Sequence, residues 1–244
     1  MERKLKGSDD QGKEFESIEE IWTKECNADK NLWYQRGSES WDSKDLTLES
    51  VLGFQELQQP DVEDSRLFLS EVFERFEISK KRALDVAAGF GRVTKHVLLD
   101  YFDKIDLMDQ CAKFVNYAPE FVNSSKLEKC ILAGVQNFFP EQKAYSCIWI
   151  QWVLCQLTDE DLVEFLIRTK AGLEDNGIIV IKENVKGKKF LVHTDDWSVT
   201  RPETYLRSFI ESAGLEIFFE KEQENFPEDT LRVKMFACKP VINC

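Results

Sequence analysis

The sequence predicts an α/β fold built on a doubly wound, mainly parallel sheet. Short apolar strand patterns alternate with helical patterns along most of the 244 residues, and this alternation is typical of such sheets. Residues 178–181 (IIVI) form a continuous apolar run, as expected for a parallel strand with both faces buried. Residues 85–92 (DVAAGFGR) place an acidic residue and two glycines between a strand and a helix. Such a turn lets a ligand approach the backbone closely.

Composition divides the chain into three parts. Residues 1–14 are charged and contain glycine, and we expect them to form a disordered tail. Residues 15–60 form an N-terminal extension that begins with apolar residues at helical spacing. Its segment 23–59 is irregular but rich in aromatic residues, so it is either a lid over a site or a plain cap on the core. Residues 61–244 carry the main domain.

The first half of the main domain is predicted to alternate regularly. A helix starts at Pro60, because proline fits the first helical turn, and it buries an apolar stripe. The elements expected after it are a strand at 82–86, a helix at 92–102, a strand at 104–109, a helix near 111–123 and a strand near 129–133.

The second half begins with a buried strand at 144–152 (AYSCIWIQW). Residues 158–161 (TDED) are a capping-box signature and open a helix, and the 178–181 strand follows. Residues 183–201 are polar and predicted to be a loop. The chain is expected to end with a helix that starts at Pro202, followed by strands at 215–220 and 231–237.

An acidic residue follows the glycine turn at an informative distance. Asp109 comes eighteen residues after Gly91 and ends the second strand. At about that distance a carboxylate accepts hydrogen bonds from the hydroxyls of a ribose, so an adenosine-type cofactor is expected. Two alternatives are a tight turn without a ligand and a nicotinamide site. The nicotinamide site would want a third glycine where Thr94 stands.

Charge and cysteine content narrow the function classes. The net charge of −13 argues against a phosphate backbone as partner and suits a Lys- or Arg-rich peptide, although it also serves plain solubility. Two histidines and seven cysteines without a C-x-x-C spacing make a zinc site unexpected and favour a reduced compartment. We expect no metal and no nucleic acid or membrane partner. We expect the protein to be a monomer located in the cytoplasm or the nucleus.

Four segments together resemble one enzyme family. Residues 85–91 match the acidic-x-Gly-x-Gly-x-Gly motif of class I methyltransferases, with Ala87 in place of the first glycine. The other segments are residues 148–153 (IWIQWV), 177–184 (GIIVIKEN) and 196–201 (DWSVTR). From about residue 40 onward the chain resembles the protein N-terminal α-N-methyltransferases, which act on Xaa-Pro-Lys/Arg chain ends. The resemblance implies a seven-stranded Rossmann-like sheet with an antiparallel last strand, an N-terminal helical extension and S-adenosylmethionine as cofactor.

The resemblance also implies roles for individual residues. Arg92 would pair with the methionine carboxylate of the cofactor, and Asp109 with its ribose. The cofactor-binding set is Ala87, Gly89, Arg92, Asp109, Val135, Gln136 and Gln151.

On the acceptor side, Trp152 would pack on the substrate proline, and Trp41 and Leu52 would close the channel. Asn184 would hydrogen-bond the peptide backbone. Asp195 and Asp196 would attract its amine and its third-residue lysine. The plainer interpretations are that Trp152 is core, that Asn184 caps a loop and that Asp196 starts a turn.

Two further positions, on the acceptor side, depart from the family pattern. Gln156 stands where the family has a histidine, and His193 where it has an acidic residue, so the usual acid/base pair is incomplete. We expect Asp196, aided by His193, to receive the proton in a functional but slower enzyme. The alternatives are a catalytically weak homologue that binds peptides or a partner, and a small-molecule methyltransferase.

Overall fold

The computed structural model describes residues 5–25 and 29–241, in which eleven strands and seven α-helices are found. The strands are β1 (Gly7–Asp9), β2 (Glu14–Phe15), β3 (Arg82–Val86), β4 (Lys104–Asp109), β5 (Leu127–Leu132), β6 (Tyr145–Gln151), β7 (Leu173–Lys186), β8 (Phe190–His193), β9 (Ser198–Pro202), β10 (Leu215–Glu222) and β11 (Arg232–Pro240). The helices are α1 (Lys30–Ser43), α2 (Leu48–Leu52), α3 (Gln58–Arg75), α4 (Arg92–His96), α5 (Ala112–Val122), α6 (Asp159–Lys170) and α7 (Glu203–Ser212).

Seven of the described strands form the main sheet, in the order β5-β4-β3-β6-β7-β11-β10. Strands β3 to β7 pair in parallel, whereas β11 is antiparallel to both β7 and β10. The predicted doubly wound α/β fold with an antiparallel last strand is confirmed. The strand order reverses at β3, which lies between β4 and β6. A crevice for ligands is therefore expected beyond the carboxyl ends of these strands.

The central strands are buried on both faces. On β6, Ile148 and Ile150 belong to a core cluster with apolar side chains of α6 and α7. Cys147 and Trp149 of the same strand belong to a second cluster with α3 and α4. Because successive side chains of a strand point to opposite faces, the apolar run of β6 anchors helices on both sides of the sheet.

The N-terminal extension is more regular than its sequence suggests. The segment expected to be irregular contains α1, capped by the Asp29 side chain on the backbone N–H of Asn31, and α2. Only Trp33 and Gly37 are buried within α1. The apolar periodicity of this segment is therefore weak, and the sequence pattern did not predict the helix. Strand β1 pairs with β8 and with β2, which differs from the disordered tail expected for residues 1–14. Residues 1–4 of that tail lie outside the described part of the chain.

The segment 183–201 is not a loop, contrary to the sequence prediction. Strand β7 continues to Lys186, and β8 and β9 form an antiparallel pair beside its end. Phe190 and Val192 of β8 pack with Phe15 and Trp33 of the N-terminal extension. Their alternation is short and their packing partners are distant in sequence, which explains why the pattern was missed.

Candidate active site

A pocket opens beyond the carboxyl ends of β3, β4 and β6, beneath α1 and α2. Its wall includes the residues predicted to bind a cofactor, which are Ala87, Gly89, Arg92, Asp109, Val135, Gln136 and Gln151. It also includes four residues predicted to act on the acceptor side, which are Trp41, Leu52, Trp152 and Gln156. The fold therefore brings the two predicted halves of the site into one cavity.

The glycine turn between β3 and α4 has the left-handed backbone that its sequence suggests. The φ angles of Gly89 and Gly91 are +56° and +92°, and a Cβ on Gly91 would lie 2.5 Å from a methyl of Val122. Ala87 also has a positive φ, +52°, which is strained for a residue with a Cβ. Asp85 accepts hydrogen bonds from the backbone N–H and hydroxyl of Thr94 (2.9 and 2.7 Å). Asp85 thus ties the turn to α4, and its burial raises the pKa of its carboxyl to about 6.

Asp109 is held rigidly at the end of β4. Its Oδ2 accepts from the N–H of Gly89 and its Oδ1 from that of Cys111, both at 2.8 Å. Burial raises the pKa of this carboxyl, and the backbone donors oppose the rise. Each carboxylate oxygen can accept more than one hydrogen bond, so the fixed group retains acceptor capacity for a pair of ligand hydroxyls.

Arg92 is anchored by a buried carboxylate that the sequence analysis did not assign to the site. Its Nη1 donates to Asp61 Oδ2 at 2.6 Å, and Gln151 Nε2 donates to Asp61 Oδ1 at 2.9 Å. Lys182 Nζ lies 2.7 Å from the same Oδ1. Burial opposes the charge of Asp61, but Arg92 and Lys182 together hold the pKa of its carboxyl below the ordinary value. In the sequence, this cluster could have been found only from a charged residue among the apolar positions of each element, Asp61 in α3 and Lys182 in β7.

The short turn after β5, which contains Val135 and Gln136, forms part of the cofactor side of the pocket. The Arg168 guanidinium on α6 donates to the carbonyls of Val135 (3.2 Å) and Gln136 (3.0 Å). These bonds fix the backbone of the turn against the sheet. Arg168 was not predicted, because nothing local in the sequence connects it to a turn some thirty positions earlier.

The acceptor side contains two polar groups without a protein partner. Among the residues that the structure describes, Trp152 Nε1 and Gln156 Nε2 are buried and make no hydrogen bond. Trp152 also has a φ of +52°, and its ring lies 5.6 Å from the Arg92 guanidinium. Buried donors are normally paired, and strained backbone concentrates at binding sites. Both observations indicate that a ligand with acceptor groups belongs beside these side chains.

Helix α1 forms the roof of the pocket and is fastened to its walls. Trp33 Nε1 donates to the carbonyl of Gln156 at 2.8 Å, and Tyr34 also lines the cavity. Ser40 Oγ donates to the carbonyl of Asp195 at 2.9 Å. The extension therefore lies over the pocket, in the place that a lid would occupy.

The remaining predicted residues lie outside the pocket wall. Asp196, in the turn between β8 and β9, accepts from Ser198 Oγ at 2.7 Å, and burial raises the pKa of its carboxyl. Its carbonyl lies 3.7 Å from the place of a Cβ on Gly37, a residue of the roof. His193 Nε2 is hydrogen-bonded to Thr200 Oγ1 at 2.9 Å.

The other two predicted residues are also displaced from the main pocket. The side chain of Asp195 is exposed to solvent. Asn184 lies instead beside Cys155 and Glu183, around a crevice with no room for a water molecule. Glu183 accepts from the N–H groups of Asn184 (2.9 Å) and Cys155 (3.3 Å), and burial raises the pKa of its carboxyl to about 7. Glu183 was not predicted, and it holds the turn that leads to Gln156.

Residues 5–25 and 29–241 contain no cluster of metal-ligating side chains. In the same part of the chain, no helix has the length and apolarity needed to cross a bilayer.

Comparison with known proteins decides the family. The model of the AdoMet-dependent proline di-methyltransferase family matches residues 29–239. The chain belongs to this family. The protein is thus an S-adenosylmethionine-dependent methyltransferase, and the resemblance inferred from the sequence is confirmed.

Individual relatives in the family are similar over most of their length. An alpha N-terminal protein methyltransferase 1 from Arabidopsis thaliana is 32% identical, over 95% of this chain and 90% of its own. An N-terminal Xaa-Pro-Lys N-methyltransferase 1-A from Xenopus laevis is 38% identical, over 86% of this chain and 97% of its own. A solved structure of a SAM-dependent methyltransferase from Leishmania major superimposes with a TM-score of 0.90 and 31% identity, covering 98% of both chains.

The pocket of this methyltransferase fits its cofactor. The left-handed turn at Gly89 lets a ligand approach the backbone, and the rigid carboxylate of Asp109 retains acceptor capacity for a ribose. Arg92 offers a buried cation at the start of α4, suited to the carboxylate of the methionine part. The one poor feature is the Cβ of Ala87, which stands at a position where the backbone conformation favours glycine.

Proposed function

We propose that this protein methylates the α-amino group of protein chains that begin Xaa-Pro-Lys or Xaa-Pro-Arg once the initiator methionine is removed. The observation that carries the proposal is the continuity of one pocket from the glycine turn to Trp152, whose buried indole N–H has no partner among the described residues. The name of the Xenopus laevis relative supports Xaa-Pro-Lys chain ends, and that of the Arabidopsis thaliana relative supports methylation of protein N-termini.

The acceptor side suits a proline in the second position. Trp152 offers a flat apolar face to the rigid ring, and its N–H is available to a peptide carbonyl. Proline has no backbone N–H, so the slot needs no acceptor for one. Trp41 and Leu52 of the roof would close over the bound chain end. Asn184 lies outside the pocket wall, beside the turn that leads to Gln156, and its contact with the peptide backbone stays a prediction.

Acidic residues around the β8–β9 turn would guide a basic chain end to the pocket. Asp195 is exposed and Asp196 is mostly buried near the roof. Together with the net charge of −13, they favour a cationic amine and a third-position lysine or arginine over an anionic partner.

When bound, S-adenosylmethionine would supply a sulfonium methyl group for transfer to the lone pair of the neutral amine, with S-adenosylhomocysteine as the other product. The protein must align the amine and accept its proton. Gln156 cannot take a proton, and His193 is engaged by Thr200. Asp196 is therefore proposed as the acceptor, and its raised pKa makes it a better one than an exposed carboxylate.

We also propose a monomer in the cytoplasm or nucleus. The cysteines at 111, 130, 147, 155 and 238 are free thiols, which suits a reducing compartment.

Mass spectrometry of peptides incubated with protein and S-adenosylmethionine tests the function. An Xaa-Pro-Lys peptide is expected to gain methyl groups at its N-terminus, and the same peptide with an acetylated N-terminus is not. Asp196→Asn is expected to lower kcat at pH 7 about six- to tenfold, because the neutral fraction of the amine still reacts. Asp229→Asn, at an exposed loop position, is the charge-matched control. No methylation of the free peptide would overturn the proposal, and full turnover by Asp196→Asn would overturn the proton assignment.

A further inference from the structure

Lys182 is a charged side chain in the middle of an apolar strand. It follows Ile181 on β7, and its side chain has no solvent-exposed surface. Its ammonium group lies 2.7 Å from Asp61 Oδ1 and donates to Ser65 Oγ at 2.9 Å and to Gln223 Oε1 at 2.7 Å. Burying a charge is costly even when it is paired, and an apolar residue would satisfy the strand pattern without that cost. The burial of a charged side chain at this position therefore indicates that Lys182 has a role beyond packing.

Asp61 connects this buried lysine to the cofactor pocket. One carboxylate oxygen accepts from Arg92 Nη1 at 2.6 Å, and the other faces Lys182 and Gln151. In the described part of the chain, the hydrogen bonds of the Arg92 guanidinium to protein groups use Nη1. Its Nε and Nη2 edge is thus left to a ligand, and the orientation of that edge depends on where Asp61 is held.

The charges of the three groups do not cancel. Arg92 and Lys182 are cations, and Asp61 is the one carboxylate that both contact directly. The next carboxylate, Asp64, is separated from Lys182 by the amide of Gln223, which bonds to both. Without Lys182, the negative charge of Asp61 would neutralise Arg92. With Lys182 present, the Arg92–Asp61 pair keeps a net positive charge beside the pocket.

We propose that Lys182 is a positioning residue for cofactor binding: by sharing Asp61 with Arg92, it orients the guanidinium and preserves its attraction for the carboxylate of the methionine part. The proposal rests on the assignment of Arg92 to the methionine carboxylate of the cofactor, which the proposed methyl transfer requires. It makes the affinity for that carboxylate depend on a side chain that the cofactor does not touch.

Two ligands separate this role from a merely structural one. S-adenosylhomocysteine carries the amino acid carboxylate, whereas 5′-methylthioadenosine has the same adenosine and thioether but lacks that end. Calorimetry with Lys182→Met, which keeps the length of the side chain without its charge, is expected to show S-adenosylhomocysteine affinity reduced about tenfold or more, the scale of a charge-assisted hydrogen bond. The affinity for 5′-methylthioadenosine is expected to change less than about twofold.

A double variant is expected to change the affinity for S-adenosylhomocysteine in the opposite direction. Adding Asp61→Asn to Lys182→Met removes the charge that would otherwise neutralise Arg92, so part of the lost S-adenosylhomocysteine affinity is expected to return. Melting temperatures of all variants check the fold. If Lys182→Met does not fold, Lys182→Gln, which can keep hydrogen bonds to Asp61 and Ser65, replaces it.

Equal losses for both ligands, or a double variant that binds no better than the single one, would overturn the role of Lys182. Failure of the proposed function looks different, because wild-type protein would then bind S-adenosylhomocysteine and still leave an Xaa-Pro-Lys peptide unmethylated.

Discussion

Asp196, the proposed proton acceptor, lies outside the pocket wall, and replacing Gln156 by histidine should add an acceptor within that wall. The side chain of Gln156 lines the cavity, and its Nε2 is buried without a partner among the described residues. Its carbonyl, which accepts from Trp33, belongs to the backbone and is kept by any substitution. The facing residue of the roof is Gly37, which leaves room for the side chain at position 156. An imidazole should therefore be accommodated without moving the lid.

The pKa of the substrate amine sets the size of the effect. A free α-amine has a pKa of about 7.7–8.0, so at pH 7 roughly a tenth to a sixth of it is neutral and ready to attack. Using only that fraction costs about 1–1.4 kcal/mol. A base that keeps the whole bound amine neutral is thus expected to raise kcat at pH 7 by at most about six- to tenfold, and by less to the extent that Asp196 already accepts the proton. This is less than the 10²- to 10⁴-fold that a positioned base typically contributes. The reason is that the α-ammonium group has a pKa close to neutrality, so part of the amine is neutral without any base.

The gain should disappear at high pH. By about pH 9 most of the amine is neutral in water, so wild type and Gln156→His are expected to have similar kcat there. Initial rates on an Xaa-Pro-Lys peptide, measured from pH 6.5 to 9.5, give the ratio of the two enzymes. Gln156→Leu, which fills a similar volume without an acceptor, is the matched control. The reasoning is refuted if the histidine variant gains nothing at pH 7, or gains as much at pH 9 as at pH 7.

Two further substitutions test strain and burial. Ala87→Gly removes a Cβ from a backbone with a φ of +52°, and should tighten S-adenosylhomocysteine severalfold in calorimetry. Stability should change within about 1 kcal/mol, because relief of strain is offset by the greater backbone entropy of glycine; weaker binding would contradict this. Glu183 has a pKa raised by burial to about 7, so its contribution to stability is present below about pH 4.5 and is lost as pH rises through 7, by about 3 kcal/mol. Glu183→Gln should flatten that decline in melting temperature between pH 5 and 8, and parallel curves would show that another group causes it.

The strands and turns that depend on the local sequence pattern could be predicted from the sequence. The predicted bounds of β3 and β4 match the structure, and those of β6 differ by one residue at each end. The reason is that an apolar run buried on both faces contrasts sharply with the polar turns around it. The glycine turn and Asp109 likewise placed the cofactor side of the pocket, because a left-handed turn and the residue at a strand end are local features.

The lid and the buried ionic cluster were not predictable in the same way. Trp33 is buried against a carbonyl 123 positions away, and few other residues of α1 are buried, so the helix shows little amphipathic pattern. Asp61 and Lys182 lie 121 positions apart, and each looks like an isolated charge in an apolar element.

The sequence by itself determined that this chain forms a doubly wound sheet with an adenosine-type pocket at its strand ends, because short-range periodicity and turn chemistry settle those features. Tertiary structure alone decided which charges share Asp61, that α1 covers the pocket, and that Asn184 lies outside the pocket wall. Such contacts join elements far apart along the chain, and their geometry depends on how whole helices pack on the sheet rather than on any local pattern.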